Sequence, residues 1–415
     1  MAGIYLLFSF IFLMGSASSS ESNSMQWTRF RGADGHGIDT SGLAPTNWGE
    51  SDYRWKITLP GTGHASPVVW DDLIFVTSSV DESDLGYVMA FDEQNGELLW
   101  QKEFKVPDLT MHNDNNLAAP SPAVDGSQVY VIWYGIEQTS LAALSHEGSL
   151  QWQTEFGGIE ARHGGGSSLM LTDKYVIFTR EQEETSSQKS SWVAVNKQTG
   201  KTTWELERES AARNSFSTPF LVHNKNNDAL LIFASEAHGF TAVDPETGEV
   251  RWERKSLLSH RVVASPLYAN GMIIACRKGE TVVLEVDAYL NPVADTALYS
   301  LPPNLSPYVP TPIVVGDLLY LFLDNGSVAC LVLATGEVLW KERPAGPIYG
   351  SPICVNGNLY CMTKAGKVIV LRAQSSYELL GVYELGDESF STPVMSASGM
   401  IFRTYSKLLM LNNAG

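Results

Sequence analysis

The pattern Ala-x-Asp-x-x-Thr-Gly-x-x-x-Trp recurs along this chain, and few folds accommodate such a repeat. Clear copies run Ala90–Trp100, Ala194–Trp204 and Ala242–Trp252, with degenerate copies at Ala143–Trp152 and Cys330–Trp340. A fixed period near fifty residues means that one supersecondary unit is repeated. Each unit opens on a Ser-Pro or Thr-Pro step: Ser66-Pro67, Ser121-Pro122, Thr218-Pro219, Ser265-Pro266, Thr311-Pro312, Ser351-Pro352 and Thr392-Pro393. One unit has Ser167-Ser168 instead, which makes eight openings about 47 residues apart.

Short apolar strands follow each opening. In the first unit they cover 67–69, 73–77 and 87–92, then the Asn95-Gly96 turn and 98–102. Gly at positive φ closes a tight hairpin at little steric cost, and Asn270-Gly271, Asp125-Gly126 and Asn356-Gly357 read the same way. Four short antiparallel strands in each of eight units predict an all-β fold, an eight-bladed β-propeller spanning residues 50–415. Trp100, Trp152, Trp204, Trp252 and Trp340 fall in the outermost strand of their units. A ring there can pack on the neighbouring blade and bury a large apolar area. The fifth unit has Leu298-Tyr299 at this place and the seventh Leu379-Leu380, so those two joints are expected to be held differently.

The eighth unit stops at Leu411 without an outer strand, while Tyr53–Ile57, carrying Trp55, precedes the first opening as a surplus strand. The N-terminal strand is therefore expected to complete the last blade and remove an exposed edge. Ile4–Met14 is a short apolar run followed by small residues, so residues 1–17 read as a secretory signal peptide. Residues 18–49, rich in Ser, Gly and Asp, read as an extended segment wrapping the outside. Asp34–Asp39 has calcium-loop chemistry but not the spacing of an EF-hand. The four cysteines are scattered and read as free thiols; a bridge between Cys354 and Cys361 would be diagonal and strained. A net charge of −18 argues against nucleic acid and anionic lipid as partners, since both need Lys and Arg against phosphate. No later segment reads as transmembrane, and a monomer is expected.

The repeated motif resembles the PQQ-type propeller repeat of quinoprotein alcohol dehydrogenases and of the BamB outer-membrane assembly lipoprotein. The resemblance covers roughly residues 50–411, and Gln26–Gly37 is similar to the lead-in of secreted bacterial members. It implies a periplasmic or secreted propeller. Two departures weigh against the dehydrogenases: their chains are longer, and they carry an adjacent Cys-Cys pair over the quinone, which is lacking here. One departure separates the chain from BamB, whose N-terminal Cys is lipidated.

In a propeller, the loops from outer strand to next inner strand gather around one end of the central channel. Here they carry His64, His112, Asn116, His163, Arg213, His260, Arg261, Tyr308 and Tyr349. These residue types suit a polar funnel for a small polar or anionic ligand, with Arg recognising carboxylate; alternatively, they satisfy backbone groups in the channel. The Arg180–Lys189 stretch reads as a solvated polar loop. No catalytic constellation and no metal motif is legible: there is no Gly-x-Ser-x-Gly, His-x-His or His-Glu-x-x-His. The leading expectation is a non-catalytic scaffold binding an envelope or secreted protein partner. The alternatives are a carbohydrate or polar small-molecule binder, or an oxidoreductase using PQQ with Ca²⁺, for which Glu236 and Asp324-Asn325 would supply oxygen ligands.

Overall fold

The structure, a computed structural model, describes residues 26–80, 83–106, 112 and 114–414. The signal peptide expected over residues 1–17 lies outside the described residues. Eight antiparallel sheets of four strands form the blades of a propeller, one of them extended by a fifth strand. No α-helix occurs among the described residues. Blade 1 consists of Val68–Trp70, Leu73–Val80, Leu85–Asp92 and Leu98–Lys105. Blade faces stack on one another, so middle strands such as Gln128–Trp133 are buried throughout. Outer strands such as Leu150–Gly157 are mostly exposed, with every second residue only partly covered from Trp152 to Phe156.

The Ser/Thr-Pro openings have a structural purpose beyond marking units. The backbone N–H of each opening residue donates to the hydroxyl of the next: Ser66 to Ser121, Ser121 to Ser168, Ser168 to Thr218, and Thr218 to Ser265. Ser265 donates to Thr311, Thr311 to Ser351, Ser351 to Thr392, and Thr392 back to Ser66. All eight bonds span 2.9–3.1 Å and form a closed ring around the channel. In seven units only the Ser/Thr can donate, because the proline that follows has no N–H; in the third, Leu169 follows Ser168. A buried N–H at the start of an inner strand needs such an acceptor.

The recurring motif builds the joints between blades. In Asp92, Asn196 and Asp244 the side-chain oxygen accepts two backbone N–H groups of the turn that follows. The turn glycine, at positive φ, then meets the tryptophan of the preceding blade. A Cβ on Gly96, Gly148, Gly200 or Gly248 would lie 2.6–2.8 Å from Trp55, Trp100, Trp152 or Trp204 respectively. Each indole N–H donates to a carbonyl of that next blade: Glu93, His146, Lys197, Pro245, Leu290 and, more loosely, Gln374 for Trp340. The fifth joint uses a phenol in the same way, with Tyr299 packed on Gly336 and its hydroxyl donating to the Leu333 carbonyl at 2.5 Å.

The seventh joint is different for a topological reason. Tyr53–Thr58 pairs antiparallel with Lys407–Asn412 as the outer strand of blade 8. These two strands lie at opposite ends of the chain, so no Gly turn joins them and a tryptophan from blade 7 would have nothing to dock on. Residues 43–48 cover this joint instead. Tyr360 donates to the Ala44 carbonyl and Tyr383 to the Thr46 carbonyl, and Trp48 stacks on Tyr383 at 3.7 Å.

Residues 26–39 do not wrap the outside as expected. They cross the channel beneath the hydroxyl ring. Trp27 exchanges backbone hydrogen bonds with Val69 of blade 1, and Val124 of blade 2 donates to Thr28. The His36 ring packs on Phe220 of blade 4, and Ile38–Asp39 pairs in parallel with Ile353–Val355 of blade 7. Arg29 and Arg31 go inside because loop carbonyls, Ala33 and His36, accept from them.

The Arg180–Lys189 stretch also differs from expectation, since residues 180–183 are buried. Arg180 pairs with Glu205, Gln182 bridges Gly158 and Glu160, and Glu181 accepts from the Trp192 indole at 2.8 Å. Burial pushes the Glu181 carboxyl up to about 7. Its folded value thus exceeds its unfolded one. The stability it contributes is fully present below the usual Glu range and is lost as pH rises through about 7. Glu181→Gln keeps the acceptor for Trp192. The variant is expected to melt above the parent at pH 8 and level with it at pH 4; equal gaps at both pH values would refute this. All four cysteines are free and buried. Cys354 faces Leu359 across its hairpin.

Candidate functional site

Eight of the nine rim residues singled out in the sequence line one cavity of about 720 Å³ at the mouth of the channel. They are His64, His112, His163, Arg213, His260, Arg261, Tyr308 and Tyr349. All eight hydroxyls of the ring line it, and Phe30 of the crossing segment contributes from below. The channel is therefore a socket open on one face.

Asn116 is the exception. It is fully buried in the wall, its amide donating to Thr62 and its oxygen accepting from Ser79 and the Ala118 N–H. Its neighbours Asp114 and Asn115 face the cavity instead. Reasoning from the outer-to-inner loops also missed Glu183 and Lys278. Strand direction alternates within a blade, so the turn between second and third strands returns to the same rim. Lys278 lies in such a turn, between Met272–Arg277 and Glu280–Glu285.

The cavity is electrically divided. Blades 3 to 5 present Arg162, Arg213, Arg261 and Lys278. Glu183 lies 3.4 Å from Arg162 and 3.6 Å from Arg261. Arg213 Nη1 is 3.1 Å from His260 Nε2, and Arg261 reaches the Tyr308 hydroxyl at 3.4 Å. The opposite wall is aromatic: His64 stacks on Phe390 at 4.2 Å, and Tyr349 meets Phe390 edge-on at 5.7 Å. There Asp114 reaches across to Lys364 at 2.8 Å and accepts from Tyr349. His112 and His163 stack between the two walls.

Burial and nearby cations favour the neutral form of His64, His163 and His260. His64 is pushed down to about 3 by burial and Arg403, and His163 to about 4 by burial and Arg261. His260 is lowered by burial and then by Arg213. The Lys364 ammonium holds the Asp114 carboxyl below its usual range. The lining thus carries four cations against Asp114 and Glu183, in a chain whose net charge is −18. A concave wall of one sign concentrates counter-ions of the other.

An eight-bladed propeller with a closed, polar, cation-lined socket is the class that fold and site define. The chain belongs to the family described as outer membrane protein assembly factor BamB, whose profile matches residues 49–158, 190–290 and 300–377. It is similar to BamB of Yersinia pestis, with 24% identity over 317 residues, 75% of this chain and 65% of that one. The chain thus spans just under two thirds of that relative's length. Among solved structures it resembles BamB from Moraxella catarrhalis, at 14% identity and a TM-score of 0.62 over 88% of this chain and 98% of that one. It also resembles a europium-containing methanol dehydrogenase, at 11% identity and a TM-score of 0.66 over 89% and 87% of the two chains. The quinohemoprotein alcohol dehydrogenase of Comamonas testosteroni matches at 12% and 0.67 over 94% and 81%. These structural likenesses establish the shared fold.

The residues present fit only half of a quinone site. Arg261 and Lys278 suit the carboxylates of PQQ. Its divalent cation, however, needs several oxygen ligands, and most of the acidic groups here are already engaged with donors or cations. Asp324 accepts the Tyr308 and Val309 N–H groups, Asp114 is held by Lys364, and Glu183 lies between two arginines. Burial raises Glu236 toward its neutral form. Among the described residues, no group of three or more His, Cys, Asp or Glu is arranged to hold a metal ion.

Proposed function

We propose that the chain is an exported, non-catalytic scaffold that docks a protein partner of the bacterial envelope, in the assembly of outer-membrane proteins. The observation that carries this reading is membership of the BamB family across most of the propeller. The architecture supports it. A ring held by eight blade joints is rigid, and its socket mouth presents loops from every blade to one side. The crossing segment closes the other end, so the channel serves as a surface and not as a conduit. Periplasmic residence follows from the same reading, as does the absence of any need for a cofactor.

A photoreactive residue at position 162 tests this. The Arg162 side chain is 82% exposed at the mouth, so its replacement does not disturb the core. In native envelopes, illumination is expected to yield one discrete adduct with an outer-membrane assembly component, identified by mass spectrometry. The chain should also migrate with that component on native gels. Migration alone, with no adduct from the mouth, would overturn the reading.

A further inference from the structure

We propose that the socket of this chain binds a small dicarboxylate, gripped by Arg261, His260 and Lys278 on blade 5. This goes beyond partner docking and does not depend on it.

The first observation is a pair of buried donors without an acceptor in the protein. Arg261 is only 6% exposed, yet its Nε has no hydrogen-bond partner. Nη1 reaches the Tyr308 hydroxyl at 3.4 Å, and Nη2 lies 3.6 Å from Glu183, too far for a hydrogen bond. A buried guanidinium ordinarily fills its fork with a bidentate acceptor. The neighbouring residue has the same shortfall. Arg213 can only donate, so His260 Nε2 accepts from it and the proton sits on Nδ1. That Nδ1 is buried and also lacks a partner. Two consecutive residues, both lining the cavity, thus carry buried N–H groups that no acceptor of the protein satisfies.

The second observation is charge. Arg162, Arg213, Arg261 and Lys278 line this side of the cavity against one lining carboxylate, Glu183, and burial raises nearby Glu236 toward its neutral form. Positive charge is in excess here, and a dianion offsets it. The donors come from two loops of blade 5, His260-Arg261 before its first strand and Lys278 between its second and third. Such spacing suits two planar carboxylates on a short carbon chain better than one compact tetrahedral oxyanion. Phe216, under the Arg261 guanidinium, offers an apolar surface for that chain. A cavity of about 720 Å³ has room for it.

Calorimetric titration of the isolated full chain at low ionic strength tests the proposal. The probes are succinate, its neutral diamide, inorganic phosphate and a triglutamate peptide. Succinate is expected to bind one to one and more tightly than the other three. Arg261→Gln should weaken succinate by roughly tenfold to a hundredfold, the loss of a charged hydrogen-bond partner. Lys278 is exposed, so Lys278→Gln should melt like the parent while binding succinate about tenfold more weakly. If Arg261→Gln does not fold, the Lys278 variant decides. No heat with succinate, equal binding of the diamide or unchanged affinity in Lys278→Gln overturns the proposal. Phosphate binding as tightly makes it a general oxyanion site, and binding of triglutamate alone makes it a peptide surface; either also overturns it. No partner protein is present, so failure here leaves the docking reading standing, and failure of the cross-link leaves this one standing.

Discussion

Deleting residues 50–58 is expected to leave no soluble folded protein. The deletion removes the outer strand of blade 8, which is paired from Tyr53 to Thr58 against Lys407–Leu411. It also removes Trp55, whose indole donates to the Glu93 carbonyl and packs on Gly96 of blade 1. Truncating one buried tryptophan costs about 3–5 kcal/mol. A domain has about 5–15 kcal/mol of net stability, so losing a whole strand as well exceeds what the fold can absorb. The exposed edge at Leu408–Leu411, apolar and unpaired, would then template aggregation. The hydroxyl ring does not compensate, because Thr392 closes onto Ser66 without any help from residues 50–58. Expression at low temperature, followed by gel filtration and circular dichroism, checks the outcome. A monomeric, cooperatively melting deletion variant would show that blade 8 stands on three strands.

The fold was legible because each repeat announces itself locally. Asp92, Gly96 and Trp100 sit within nine positions, and each has a short-range reason to be there. What the residues do for one another was less visible. The Ser/Thr-Pro steps mark the unit openings plainly, but each bond of the ring joins residues 40 to 55 positions apart, or 326 at closure. Such a partnership exists only once the ring is closed. The same distance problem hid the crossing segment. Arg29 and Arg31 fall in a segment read as wrapping the outside, and only the fold shows that loop carbonyls answer them inside the channel.

The rim was partly legible for a geometric reason. Loops from outer to inner strand must gather at one end of the channel, so His64, His163 and Arg261 could be placed together from the sequence. Lys278 and Glu183 reach the same rim from within blades 5 and 3, where nothing in the sequence sets them apart from ordinary turn charges. Asn116 failed for the opposite reason: it lies in the right loop but turns inward to cap the Ala118 N–H.

The joints make a quantitative claim that a mutant cycle can test at Trp204 and Gly248. Trp204 is 9% exposed and donates to the Pro245 carbonyl, and a Cβ on Gly248 would lie 2.8 Å from its ring. Trp204→Ala is expected to cost about 3–5 kcal/mol by leaving a cavity between blades 3 and 4. Gly248→Ala has two penalties. The φ of +74° disfavours any side chain, by about 1 kcal/mol, and the methyl also collides with the indole. Only the second depends on Trp204. The double variant should therefore be more stable than the sum of the single losses, by about 1–2 kcal/mol, the signature of residues in contact. Urea unfolding of the four proteins measures it. Strict additivity would mean that the glycine is required for its turn alone. The repeat would then keep Gly for backbone reasons and Trp for packing reasons, with no link between them. Coupling would mean that the two residues form a single device, in which a bare turn accepts a flat ring. That device is complete at four tryptophans and, with a phenol in place of the indole, at Tyr299 over Gly336, whereas Trp252 and Trp340 dock through their indole N–H without a glycine.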